Sequence, residues 1–417
     1  MRHWRRLVMP LAVLLALAAC SSQSMNGGTS ATTPATAKAD AALLTPTGGK
    51  HTASGTPVTV GIINDEGGTA ESWPEIRIGA QAAVAYGNQY LGGIAGRPVQ
   101  LDVCESKGTP ASSAECANQM IADHVVAVLH GIDSDSGTTA QTLMNAGIPV
   151  ISTAPASSQE ELGTLSFSLT GGATAFIAAM GQWMAQQHYK SSVFFAENAP
   201  GGAALWTSAV SFLKTLGIPT KLVLVDPGTA DLTPQMDAAL QQHPDFYWMS
   251  GDSGICLSFL RAYRAAGSPG HFGLIGQCSV PQVLAAVSLA GAIEPAYALP
   301  LGSGYESRLY RAVLAAYAPG TDPGGTAYVG YTMALGLIRA MHGLTGVVTT
   351  KTVTAQLRAA RNVPLPAAPD VTFACNGKQV PPFPAPCSDT VLMTQLDAQG
   401  NATLLETIAH AASIFGS

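Results

Sequence analysis

Charge is what this 417-residue sequence has least of: Asp, Glu, Lys and Arg together make up 11% of it, against about 25% in ordinary soluble domains. The 20 basic residues are outnumbered by 26 acidic ones, giving a formal charge of −6, and three of the basic residues, Arg2, Arg5 and Arg6, lie in an N-terminal leader. A chain so poor in cations does not collect a polyanion, which argues against nucleic acid as a partner. Long apolar runs are missing too. The stretch Leu7 to Leu17 falls short of the ~20 residues that a membrane-spanning helix needs. No Cys-x-x-Cys pair occurs and the nine His are scattered, so no metal-ligand spacing is offered. The Gly-x-x-x-x-Gly-Lys-Ser/Thr phosphate loop is also missing, nucleotide hydrolysis is unsupported, and no cofactor is expected.

What is present begins at the N-terminus. Arg2, Arg5 and Arg6 form a cationic region, Leu7 to Leu17 an apolar one, and Leu17-Ala-Ala-Cys20 a small-residue cleavage site. Together they read as an export signal over residues 1–20. Leu-Ala-Ala-Cys resembles the lipobox of bacterial lipoproteins, which implies that Cys20 becomes the first residue and carries lipid on the outer face of the cytoplasmic membrane. Residues 21–55 run through Ser, Thr, Ala, Pro and Gly with little apolar periodicity, the composition of a tether. Six cysteines remain after Cys20, an even number in an oxidising compartment. Their short separations suggest three disulfides, Cys104 with Cys116, Cys256 with Cys278 and Cys375 with Cys387, although other connectivities fit the same count.

From residue 58 short β-branched runs alternate with amphipathic stretches, the signature of βαβ units and parallel sheets. Strands are expected at Val58–Ile63, Pro98–Cys104, Val125–Leu129 and Pro149–Ser152. Helices are expected at Glu75–Tyr90 and Ser112–His124, with a further helical stretch reaching Ala146. A second unit starts near Leu169 and repeats the pattern through the strand Phe272–Gly276. The late helices near Ser307–Tyr317, Thr326–His342 and Thr352–Ala360, and a strand-turn-strand around Asp397-Ala-Gln-Gly400, are too few for a third unit. They return to complete the first two. In such sheets ligands bind beyond the carboxyl ends of the strands.

This order of elements resembles the leucine/isoleucine/valine-binding family of type I periplasmic binding proteins over roughly Val58 to Thr403. The segments that carry the resemblance are Gly92-Gly-Ile-Ala-Gly-Arg-Pro-Val-Gln-Leu101, the Gly131 loop, Ala146-Gly-Ile-Pro-Val-Ile-Ser152, Phe246-Tyr-Trp-Met-Ser-Gly251, Arg264-Ala-Ala-Gly267 and Ala327-Tyr-Val-Gly-Tyr-Thr-Met333. The resemblance implies an α/β fold of two Rossmann-like lobes with parallel sheets joined by a three-crossing hinge. Lobe I would hold 56–168 plus 301–390 and lobe II 169–300 plus 391–412, with crossings near Leu169, Pro300 and Val391. It also implies branched-chain amino-acid transport. The protein would be a monomer, not an enzyme, that binds a small polar ligand, an amino acid or an amide-like compound, in the cleft between the lobes, passes it to an ABC permease and touches the membrane only through its lipid.

In that family hydroxyls and main-chain groups of two lobe I loops hold the amino-acid backbone. The loops matching them here place Asp133, Ser134, Asp135 and Ser136, then Thr153, Ala154 and Ser157, in the candidate site. A loop opening a helix offers N–H groups to a carboxylate, yet Asp133 and Asp135 would repel one unless they cap the following helix or meet a cationic group. On lobe II, Asp252 replaces the family's Tyr and Ser253 follows. The family's amine-binding acid would fall at Gly276-Gln277-Cys278, where only Gln277 is polar, so Asp252 is the expected substitute charge. Glu197 and Asn198 stand near a second missing Tyr. Trp73 lies where an aromatic covers the ligand, and its bland alternative is packing at a lobe edge. Trp183, Trp206 and Trp248 are expected in the core.

Two motifs mislead. Gly251-Asp-Ser-Gly254 matches the surround of a serine-protease nucleophile, but Ile255 follows and no matching histidine motif precedes it. Asp133-Ser-Asp-Ser-Gly137 opens like a calcium loop, yet the twelfth position is Met144 instead of the Glu that an EF-hand requires. An exported hydrolase is therefore disfavoured. A ligand sensor on the same fold stays open, since fold does not settle function.

Overall fold

The computed structural model describes residues 40–68, 72–198, 202–267, 270–276 and 278–412. The run Val58-Thr-Val-Gly-Ile-Ile forms β1 (Val58–Asn64), buried along nearly its whole length as a central parallel strand must be. β2 (Val99–Glu105), β3 (Val128–His130), β4 (Val150–Ser152) and β5 (Ser166–Ser168) complete a wholly parallel sheet in the order β2-β1-β3-β4-β5. Its helices are α1 (Pro74–Tyr90), α2 (Pro110–Ala122), α3 (Ser136–Asn145) and α4 (Ser158–Leu162). Helix α2 begins two residues earlier than its apolar pattern suggests, because Thr109 accepts a hydrogen bond from Ser112 N and Pro110 fills the first position, where its missing N–H costs nothing.

The second sheet repeats the scheme. After α5 (Gly172–Gln186) come β6 (Ser192–Glu197), α6 (Gly202–Thr215), β7 (Thr220–Val225), α7 (Thr233–Leu240), β8 (Phe246–Gly251), α8 (Ser253–Ala265), β9 (His271–Gly276), α9 (Pro281–Leu284) and β10 (Ile293–Ala296). The chain then returns to the first lobe with α10 (Tyr305–Tyr317), α11 (Ala327–Ala340), α12 (Thr350–Ala359) and the small pair β11 (Val363–Pro364) and β12 (Thr372–Phe373). It finishes as a hairpin, β13 (Val391–Leu396) and β14 (Ala402–Ile408), on the second sheet, whose order is β14-β13-β10-β9-β8-β6-β7. The hairpin makes this sheet mixed, since β13 runs antiparallel to both β10 and β14.

Each lobe has its own core. In lobe I, α1, α10 and α11 cover one face of the sheet, and Met120, Leu143 and Cys116 fill the other. Helices α1 and α11 approach backbone to backbone at Gly79 and Gly330. A Cβ on Gly79 would overlap the carbonyl of Ala327, and one on Gly330 the carbonyl of Ile76. In lobe II, Phe194, Trp206, Trp183 and Trp248 lie on one face and Phe195, Phe259 and Tyr263 on the other. Disulfides join Cys104 to Cys116, Cys256 to Cys278 and Cys375 to Cys387. No helix among the described residues is long and apolar enough to cross a membrane.

Residues 40–55, expected as tether, are stitched to lobe I. Arg308 of α10 meets Asp40 at 2.8 Å, and the amides of His51 and Ala53 donate to the carbonyls of Tyr90 and Asn88. Leu43 and Leu44 pack on the core. The sequence shows no periodicity there because the anchoring runs through backbone groups and one ion pair.

Candidate functional site

Both sheets reverse their strand order at one point, between β1 and β3 in lobe I and between β6 and β8 in lobe II. Loops diverge to opposite faces there and leave a crevice at the carboxyl ends of the strands. At the lobe I switch point stands Asp65, 1% exposed. Its Oδ1 accepts from Ser106 Oγ and Gly108 N, and its Oδ2 from Ser134 N at 3.0 Å and Ser134 Oγ at 2.6 Å. One carboxylate thus ties together the loops after β1, β2 and β3. Asn64 adds a second tie, donating to Trp73 O and accepting from Ile132 N.

A buried charge triad joins the β3 loop to the β4 loop. His130 Nδ1 lies 2.8 Å from Glu160 Oε1, and its Nε2 lies 3.1 Å from Asp133 Oδ2. Asp133 Oδ1 also accepts from Ser113 Oγ and Asp135 N, while Glu160 Oε2 accepts from Ala156 N at 2.8 Å. Burial alone would lower the His130 pKa, but the two carboxylates outweigh it and push it up to about 10. The same contact holds Asp133 well below the usual carboxylate range, although burial opposes it. The imidazolium is therefore charged under all ordinary conditions, and it fastens the two loops that the sequence nominates for ligand contact.

These ties decide what the nominated residues can do. Asp133 is committed to His130. Ser134 is committed to Asp65, and Asp135 precedes α3 and accepts from Thr138 Oγ1. Ser136 is buried at the start of α3. The loop amides expected to meet a carboxylate are engaged within the protein: Ile132 N with Asn64, Ser134 N with Asp65, and Asp135 N and Ser136 N with Asp133. In the next loop Thr153 Oγ1 donates to Val329 O, Ser157 caps α4 through Glu160 N, and Ala154 is half-buried. Trp73 is half-buried against the lobe I core, with an indole N–H that is enclosed and unpaired.

On lobe II, Glu197 and Asp252 stand side by side at the switch point. Asp252 N donates to Glu197 Oε2 at 2.9 Å, and Asp252 Oδ1 caps α8 by accepting from Ile255 N at 2.8 Å. Ser253 Oγ is bonded to Gln282. Gln277 and Cys20 lie outside the described residues.

The structure adds a group that no motif signals. Tyr297, where the chain leaves lobe II, lies parallel to Phe176 of α5 (6.2 Å between centroids, 4°) and beside Tyr328 of α11 at 5.8 Å. Glu294, three residues earlier on β10, accepts from Ser279 Oγ in the loop after β9. Glu294, Tyr297 and Tyr328 are half-buried. Burial holds the Glu294 carboxyl up at about 7, with Ser279 moderating the rise.

A family model described as periplasmic binding protein matches residues 57–386, most of the chain. The chain belongs to the periplasmic binding protein family. This periplasmic binding protein has the type I fold of a family that binds small molecules outside the cytoplasm. Among solved structures it is similar to the leucine-, isoleucine-, valine-, threonine- and alanine-binding protein from Brucella ovis in closed conformation, at 14% identity and a TM-score of 0.72 over 86% of this chain and 97% of that one. A fatty acid ABC transporter substrate-binding protein from Thermomonospora curvata matches at 15% identity and 0.68 over 88% and 97%. A solute-binding protein of R. palustris in complex with 4-hydroxybenzoate matches at 16% and 0.65 over 85% and 97%. At these identities the likeness shows the shared fold. A comparison with curated proteins found no match.

Proposed function

We propose that the chain is the exported, lipid-anchored solute-binding component of an ABC importer, holding a small polar molecule between lobes I and II. The observation that carries this reading is the crevice at the carboxyl ends of both sheets, where Tyr297 touches Phe176 on one lobe and Tyr328 on the other. A ligand seated there contacts both lobes at once, so its binding energy favours the closed arrangement. Lobe I supplies a rigid wall, its loops locked by Asp65 and the His130 triad. Lobe II supplies Asp252, Glu197 and Ser253, and Trp73 flanks the opening. Residues 1–20 serve as the leader, Cys20 as the lipid site, and the segment up to Asp40 as the tether. The protein works as a monomer and performs no chemistry on its solute.

The test is a thermal-shift screen against amino acids, amides, amines and aromatic acids, followed by small-angle scattering with any hit. A ligand at 100 times its Kd adds roughly 2.7 kcal/mol, and closure reduces the radius of gyration. A protein that melts cooperatively but responds to no class of solute would defeat the reading.

A further inference from the structure

Resting on the solute-binding reading, we infer that the solute is a small amine carrying a compact aromatic or apolar body and no carboxylate, and that Glu294 receives its ammonium group. Three independent features converge on this. The first is the missing anion site: the amides of the β3 loop that would meet a carboxylate already serve Asn64, Asp65 and Asp133. The second is charge. Among the described residues the carboxyl-end loops and strand ends carry Asp65, Asp133, Glu197 and Asp252, whereas the cations there are His130 inside its triad, Arg77 paired with Glu66, and exposed Lys107. An amine enters such a field favourably and an anion does not.

The third is the crevice wall. Glu294 spends Oε1 on Ser279, while its other oxygen has no partner among the described residues. The groups placed against it are Ser279 from the loop after β9, Tyr328 from α11, whose phenol feels its charge, and Thr394 from β13, which donates to its backbone carbonyl, while Tyr297 and Phe176 continue the wall from Tyr328. No charged side chain among the described residues offsets its burial, which holds the carboxyl up at about 7. An ammonium seated against Glu294 supplies the missing countercharge, and the faces of Tyr297, Tyr328 and Phe176 suit both a cation and an apolar ring.

The experiment is titration calorimetry on the purified full-length protein with three matched probes: 2-phenylethylamine, 2-phenylethanol and 3-phenylpropanoate. The amine should bind at least about tenfold more tightly than the alcohol, and the acid most weakly. Between pH 6 and pH 8 amine affinity should rise about tenfold, as a carboxyl titrating near 7 becomes ionised. Glu294→Gln keeps the size and the acceptor for Ser279, and should abolish both the amine preference and the pH dependence. Ser279→Ala keeps the carboxylate but removes its one stabilising bond, so the pH midpoint should move upward.

Preferential binding of the acid, or an amine preference that survives in Glu294→Gln, overturns the inference. So does a panel in which only carboxylate-bearing or neutral solutes bind, an outcome that leaves the solute-binding reading intact. Silence toward every class of solute removes both.

Discussion

Replacing His130 by Ala strands Asp133 and Glu160, 6% and 1% exposed, without their shared cation. Removing one partner of a buried ion pair typically costs about 3–5 kcal/mol, because an uncompensated charge stays out of water. The loss at neutral pH should fall in that range.

The contribution of the wild-type triad depends on pH at both ends. The His130 pKa is raised, so its stabilisation is complete below about 6.5 and is lost as pH climbs through about 10. The Asp133 pKa is depressed, so its share is complete above the ordinary Asp value and is lost as pH falls through the folded one. Their joint contribution is therefore greatest between about 4 and 6.5. Urea unfolding of wild type and His130→Ala at pH 7.5 and 9.5 measures both effects, and the difference should narrow at the higher pH as the wild type loses the His130 share. A difference under about 1 kcal/mol at pH 7.5, or one equal at the two pH values, would refute the charged triad, since a merely filled space loses the same amount at both. Converting the whole triad to His130→Leu, Asp133→Asn and Glu160→Gln should cost less than His130→Ala alone, because no charge is then left unpaired.

Three other results are expected. Gly330→Ala should destabilise lobe I by about 2 kcal/mol or more in denaturant unfolding, since its methyl group meets the carbonyl of Ile76 in α1. Asp252→Ala should lower stability by about 1 kcal/mol through loss of the α8 cap, a loss that Asp252→Asn should largely avoid. Replacing Cys256 and Cys278 together by Ser should lower stability by about 2–4 kcal/mol and weaken solute binding, because the bridge links the start of α8 to the loop carrying Ser279. Unchanged affinity in that variant would remove the bridge from any role at the crevice.

Periodicity exposed most of the fold. Strands such as β1 and β6 are runs of β-branched and aromatic residues, and helices such as α1 and α11 keep an apolar face long enough to be read. The elements it misses are short or carry no period. Helix α4 has five residues, and β10 has four including Pro295, held in place by β9 and β13 more than by its own propensity. The same limit governs the site. Sequence points to the polar loops after β3 and β4, but whether Asp133 is free or bound depends on His130 and Ser113, brought together only by folding. Glu294 carries no motif at all. Its importance comes from Ser279 and Tyr328, far apart in the chain, and from enclosure that composition does not record. Asp252, Asp133 and Ser134 were visible as chemistry, and the structure shows each of them already engaged with a protein partner.

The stitching of residues 40–55 onto lobe I also has a mechanical consequence. If the chain hangs from a lipid at Cys20, any pull along the tether enters through Asp40 and Arg308 and through the His51 and Ala53 amides at the far end of α1. Each of these contacts lies on lobe I, through α10 and α1, so a pull from the membrane would be borne by one lobe and leave the other free to move.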